Sequence, residues 1–246
     1  MDNNYSPHDL EWTDEKVARF WNFHNNYAPY SGTWFTDALG KELLRFVNRK
    51  VKIKGRVLDY GTGKGFLVKH LSDNYSNIEI YACDFTDTVA SETAGKYRNL
   101  PSFKGCLHIT GLPASYESNF FDFVFLIETI EHLTDNYLHA TLNEIRRILK
   151  PGGIIVITTP NNEAIEKNYV HCADCGATFH HMQHIRSWNV GNLSELMRES
   201  GYTNLYCKGI NLKWYRPKGL LHRFLDLQKK IMGTGFIENL VYIGKK

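Results

Sequence analysis

The sequence predicts an α/β fold, a mostly parallel sheet with helices on both faces, and three observations carry that prediction. A short apolar run, Val57-Leu58, ends in Asp59 and opens at once into Gly61, Gly63 and Gly65, which is how a strand hands over to a helix. A second apolar stretch begins at Ile78 and ends in Asp84. A third, Phe121 to Ile127, is followed by a helical pattern and then by Ile154-Ile155-Val156-Ile157. Strands that alternate with helices pair in parallel, because a parallel neighbour needs a crossover. At 246 residues the chain has the size of one domain and is long enough for seven strands.

Taken in order, residues 1–54 form an N-terminal cap crowded with Phe20, Trp21, Phe23, Tyr27, Tyr30, Trp34 and Phe35. Most of these rings are expected to pack against the sheet. Residues 55–160 form the core. Glycines at alternate positions permit positive φ and remove the Cβ atoms that would hold a ligand off the backbone, so a ligand is expected very close to this turn. Asp59, two residues before the first glycine, would repel a pyrophosphate and suit an ammonium group. Asp84 can accept hydrogen bonds from two ribose hydroxyls. Leu138, Leu142, Ile145 and Leu149 paint one helix face, which Pro151-Gly152-Gly153 is expected to stop.

Residues 161–188 form a Cys/His insertion, and residues 189–246 return to the sheet. Leu193, Leu196 and Met197 suggest a helix, with the last strands at Tyr202 to Ile210 and Phe236 to Ile243. Between them Leu220, Leu221, Phe224, Leu225 and Ile231 make an apolar stripe among basic residues, read as a lid helix with a solvated face.

The run Leu58-Asp59-Tyr60-Gly61-Thr62-Gly63-Lys64-Gly65, with Asp84 and the Lys-Pro-Gly-Gly turn, resembles the class I S-adenosylmethionine-dependent methyltransferases. The resemblance spans Arg56 to Asn161. It implies a Rossmann-like seven-stranded sheet with an antiparallel last strand, methyl transfer, and S-adenosylmethionine as cofactor. It further implies that Asp59, Tyr60, Gly61, Thr62, Gly63, Gly65, Phe85 and Leu112 bind the cofactor, with Asp84 at its ribose and Thr110 near its adenine. One departure is the absence of an acidic residue in His108-Ile109-Thr110-Gly111-Leu112-Pro113, which leaves adenine to backbone groups or the Thr110 hydroxyl.

Glu128, Glu131 and His132 follow the third strand, and on a helical turn they would share a face. This run resembles the ubiquinone-pathway O-methyltransferases. It also resembles the small-RNA 3′-terminal 2′-O-methyltransferases, in which two glutamates and a histidine bind a divalent metal with a later histidine. His184 stands at a similar place here, while Gln183, Arg186 and Ser187 depart from that pattern. Glu128 and His132 are the expected catalytic pair, and the expected acceptor is a hydroxyl on a small molecule such as a sugar or biosynthetic intermediate. RNA is the alternative acceptor. A non-catalytic, zinc-stabilised nucleoside-binding module is a third reading.

Cys172 and Cys175 are spaced as half of a zinc site, and His180 and His184 follow at ligand spacing, so the four form a candidate tetrahedral set. Free thiols shaping an acceptor loop are the alternative, and His184 is claimed by both metal ideas. Five cysteines, an odd number, argue against a disulfide framework. A net charge of +3 is too mild to announce nucleic acid or membrane partners. The polar N-terminus has no secretory h-region, and no run approaches the roughly 18 apolar residues of a membrane span. The expectation is a cytoplasmic protein.

Overall fold

The sheet is assembled from one repeated unit, an apolar strand, a turn and an amphipathic helix. The computed structural model describes residues 6–27, 34–216 and 239–246. After a short strand β1 (His8–Asp9) come helices α1 (Asp14–Asn26) and α2 (Phe35–Lys50). The core follows as β2 (Gly55–Tyr60), α3 (Phe66–Asn74), β3 (Ile78–Asp84), α4 (Asp87–Tyr97), β4 (Phe103–His108), β5 (Phe121–Ile127), α5 (Asp135–Ile148) and β6 (Leu149–Pro160). The insertion contributes β7 (Tyr169–His171) and β8 (Ala177–His180), and the chain ends with α6 (Val190–Glu199), β9 (Thr203–Ile210) and β10 (Asn239–Lys245).

The main sheet has seven strands in the order β4-β3-β2-β5-β6-β10-β9. Only β10 runs against its neighbours, pairing antiparallel with both β6 and β9. Strand alternation divides the core between the two faces. Leu58, Val124, Leu126 and Ile155 pack with α5 and α6, whereas Val57, Phe123, Phe125 and Val156 pack with α2 and α3. The order reverses between β2 and β5, and open α/β sheets bind ligands in the crevice at the carboxyl ends of such strands.

Some expectations need correction. The Pro-Gly-Gly turn does not stop α5, which ends at Ile148; Leu149 already belongs to β6 and pairs with Phe121, and the glycines lie in an irregular stretch of that strand. The pairing partner, not helical spacing, decides the conformation of Leu149. A second sheet, in the order β1-β8-β7, was not anticipated. It sews His8 to Ala177 and Tyr169 to His180. Residues 220–231 of the apolar stripe and the beginning of the last expected strand lie outside the described residues. Among the described residues no helix is long and apolar enough to cross a membrane.

Gly65 shows why the first turn needs glycine. Its φ is +71°, and a Cβ there would sit 2.6 Å from the Tyr97 ring and 3.0 Å from Thr93 Cγ2. Gly65→Ala combines left-handed strain with this overlap and is expected to cost about 2 kcal/mol of stability. Urea unfolding checks it, and a loss below about 0.5 kcal/mol would show that the turn relaxes without cost.

Candidate active site

A cavity of about 580 Å³ opens at the carboxyl ends of β2, β3 and β5. Its roof is α1, whose Asp14, Val17, Ala18, Trp21 and Asn25 recur at helical spacing and face inward. Its floor is the glycine turn, with Gly61 at φ +77° and Gly63 at φ +52°. Asp84 is pinned at the floor's edge, accepting from the Gly63 N–H at 3.1 Å and the Thr86 N–H at 2.9 Å. Burial raises its carboxyl above the ordinary range, against those two hydrogen bonds, a third from the Thr86 side chain and the charge of His108. A carboxylate can accept about four hydrogen bonds, so Asp84 keeps capacity for a ribose hydroxyl.

The residues expected at the cofactor divide into two groups. Gly61, Gly63, Asp84, Phe85 and Thr110 line the cavity. Asp59, Tyr60, Thr62, Gly65 and Leu112 stand behind it. Asp59 is 2% exposed and accepts the Thr62 hydroxyl at 2.7 Å, and burial pushes its carboxyl up to about 7. Strand alternation sends the Tyr60 ring into the core, and Leu112 packs against the same cluster. Gly65 serves close packing on Tyr97. These five shape the floor from beneath.

Two further polar atoms of the cavity walls have no partner among the described residues, Asn25 Oδ1 and Trp34 Nε1. Buried polar groups are rarely left unpaired, so they suit a ligand carrying both donors and acceptors. The ammonium and carboxylate of an amino acid and the hydroxyls of a ribose meet that requirement.

The opposite wall is the loop after β5. Glu128, Glu131 and His132 are not on a helical turn as expected; Glu128 takes φ +46° and α5 begins only at Asp135. The Glu128 N–H still donates to Thr158 O, which continues the ladder for one residue before the chain turns. Glu131 is 1% exposed and neither of its oxygens closes a hydrogen bond; Glu128 Oε1 is likewise unpaired, although the hydroxyls of Thr158 and Thr159 stand beside the two carboxyls. Burial pushes Glu128 up to about 7, and burial plus the neighbouring Glu128 raises Glu131 well above the usual range.

Two imidazoles converge on Glu131. His132 Nδ1 meets the Gln183 carbonyl at 3.3 Å, and a carbonyl only accepts, so this contact favours the proton on Nδ1; the Glu128 backbone also hydrogen-bonds the ring. Its Nε2 lies 3.8 Å from Glu131 Oε1. His184 donates from Nδ1 to Glu163, which leaves its Nε2 bare. Burial, and then the neighbouring His184, lowers His132 to about 3, while burial lowers His184. One ligand atom from each of Glu131, His132 and His184 lies within 4.8 Å of the others. Glu131, His132 and His184 are therefore residues that could hold a divalent cation.

Glu163, His180 and His184 also converge, but Glu163 already accepts from both imidazoles. His180 Nδ1 accepts from the backbone of Met182 and His184, and its Nε2 donates to Glu163 at 3.2 Å. Asn168 donates to Glu163 as well. Burial raises Glu163, and the hydrogen bond and charge of His184 with the charge of His180 outweigh it, for a net lowering. Glu163 therefore holds His184 in place, a role no spacing in the sequence announces. The expected zinc set is divided: His180 and His184 turn to Glu163, while Cys172 and Cys175 occupy the exposed turn between β7 and β8 and join no such group among the described residues. The cysteines lie in the turn before β8, whereas His180 ends that strand, so β8 separates the two halves of the expected set.

A family model described as a methyltransferase domain matches residues 33–206. The chain belongs to the class I S-adenosylmethionine-dependent methyltransferases. This methyltransferase is 33% identical over 160 residues to an uncharacterized protein of Methanocaldococcus jannaschii, covering 65% of this chain and 62% of that one. It is 26% identical over 172 residues to a ubiquinone biosynthesis O-methyltransferase of Cereibacter sphaeroides, covering 63% and 64%. The methyltransferase thus spans less than two thirds of the length of these curated relatives. In structure it matches a Burkholderia thailandensis 1,6-didemethyltoxoflavin-N1-methyltransferase with bound S-adenosylhomocysteine at a TM-score of 0.66, 16% identity, and 98% and 94% coverage.

Proposed function

We propose that the methyltransferase transfers the S-methyl group of S-adenosylmethionine to a hydroxyl of a small-molecule acceptor, with a divalent cation at Glu131, His132 and His184. The observation that carries this reading is Glu131, buried to 1% with both oxygens unpaired and facing two imidazoles. The relatives named for O-methylation support the acceptor atom by similarity. When bound, the cation would neutralise the carboxylates and acidify the acceptor hydroxyl.

This chain's own residues supply the rest. Asp84 orients the ribose, and the Gly61 to Gly63 floor lets the sulfonium approach the backbone. Glu128, with its carboxyl near 7 and its side chain in the cavity, takes the hydroxyl proton as the oxygen attacks the methyl carbon. The C–S bond breaks as the C–O bond forms, and S-adenosylhomocysteine leaves. Trp21 and Trp34 in the wall favour the sulfonium charge by cation–π attraction.

Transfer of labelled methyl into a size-fractionated cell extract, with and without ribonuclease, tests the acceptor. Label in the small-molecule fraction is expected. Ribonuclease-sensitive label would instead support terminal ribose methylation of RNA, the second reading, which the convergence of both glutamates with His132 and His184 favours.

The cation has its own test. Below its raised carboxyl pKa, Glu131 holds a proton that an arriving cation must displace, so affinity falls about tenfold per pH unit for that proton. Mn²⁺ is expected to raise the melting temperature more at pH 8 than at pH 6. No shift at either pH with Mn²⁺ or Co²⁺ would remove the cation from the proposal.

A further inference from the structure

Gln183 enters the sequence reading only as a departure from a pattern, yet it is fully buried and held at φ +60°. Its side-chain amide joins two segments far apart in the chain. Oε1 accepts the Trp21 indole N–H at 2.8 Å, and Nε2 donates to the His132 carbonyl at 3.0 Å. Its own carbonyl receives His132 Nδ1–H, and the Trp21 ring stands edge-on to the His132 imidazole with centroids 4.8 Å apart. One residue thus contacts the roof of the cavity and brackets His132 from both its backbone and its ring.

A carboxamide presents an acceptor and a donor back to back, which this junction needs; a glutamate lacks the donor and a methionine lacks both. Its geometry also depends on the roof. Without the Trp21 N–H, Gln183 Oε1 would be a buried acceptor with no partner, and the amide would turn toward water or rotate away from His132.

We propose that Gln183 is a positioning residue that couples the seating of α1 over the cavity to the tautomer of His132. With α1 seated, the indole fixes the amide, the Gln183 carbonyl keeps the imidazole proton on Nδ1, and Nε2 faces Glu131 at 3.8 Å. With α1 lifted, that hydrogen bond loosens and the Nε2–H tautomer, which can neither accept a proton nor hold a cation, becomes populated. The acceptor side is complete only beneath a closed roof, so the reactive sulfonium meets its activated acceptor with water excluded. This rests on the reading of His132 Nε2 as an acceptor-side group.

The test uses the full chain labelled with ¹⁵N-histidine, as wild type, Trp21→Phe and Gln183→Met. Trp21→Phe keeps a ring in place and removes the N–H. Long-range ¹H–¹⁵N correlation reads the tautomer of His132, assigned by the signals lost in His132→Gln, and hydrogen exchange reads the α1 amides. The wild type is expected to show one Nδ1–H tautomer. Both variants should show a mixture with Nε2–H, and α1 amides should exchange about 10-fold faster, the effect of one net hydrogen bond. A single Nδ1–H tautomer in both variants, or a wild-type His132 protonated on Nε2, overturns the coupling. If the tautomer follows Trp21 but Mn²⁺ gives no thermal shift, the coupling stands and the cation reading falls.

Discussion

Glu131→Met is expected to make the cation-free protein more stable, by on the order of 2 kcal/mol at pH 8, while abolishing its response to Mn²⁺. The side chains are similar in length, but only one carries a charge into a site with no partner. The sign follows from linkage. The folded-state pKa of Glu131 lies above its unfolded value, so the folded state binds the extra proton, and the carboxyl costs nothing below the unfolded pKa. Its cost grows as pH rises from there and is complete above the folded pKa. The gain from Glu131→Met should therefore be small at pH 5 and large at pH 8, read by urea unfolding at each pH. A variant that is destabilised at pH 8 and still responds to Mn²⁺ would assign Glu131 to structure and take it out of the site. A residue kept at a cost to stability is one retained for what it binds.

Asp84→Ala should weaken S-adenosylhomocysteine binding by about 10-fold or more, the loss of charge-assisted hydrogen bonding to a ribose. It would also strand the N–H groups of Gly63 and Thr86, so the floor of the cavity would loosen. Asp84→Asn separates these effects. Its carbonyl oxygen can still receive one of the backbone donors and recover part of the stability, but it offers the diol no charge. Titration calorimetry with S-adenosylhomocysteine is the measurement. Wild-type affinity in Asp84→Asn would make the residue a turn stabiliser and move the ribose elsewhere in the cavity.

The central sheet was legible because each strand pairs a local apolar pattern with a local turn signal, so β2, β3, β5 and β6 announce themselves over fewer than a dozen residues each. That Gly61, Gly63 and Asp84 lie at the cavity was legible for the same reason. Which floor residues face the ligand was not, because Asp59 and Tyr60 are turned by strand alternation and by the Thr62 hydroxyl, which spacing alone does not orient. The wall after β5 was misread as helix since Glu128, Glu131 and His132 do have helical spacing; the left-handed Glu128 breaks it, and nothing in a glutamate advertises positive φ. Glu163 and Gln183 were invisible as functional residues. They act through His184 and His132, contacts made by the fold of the insertion over 20 residues and by its approach to the loop 51 residues earlier. The cysteine pair illustrates the converse, a strong local spacing whose intended partners are drawn off by Glu163.

The small side sheet determines how this enzyme can be divided and recombined. Because His8 and Asp9 form a strand with Ala177 and Thr178, the opening residues of the chain are structurally part of the insertion more than 160 positions later. Trp21 reaches the same region through Gln183. A chimera that transplants residues 161–188 alone into another methyltransferase would leave β8 with a bare edge and Gln183 without its indole. Residues 6–27 and 161–188 are joined by strand pairing and a hydrogen bond although they are carried on two separate stretches of gene, so a working transplant of either is expected to need both.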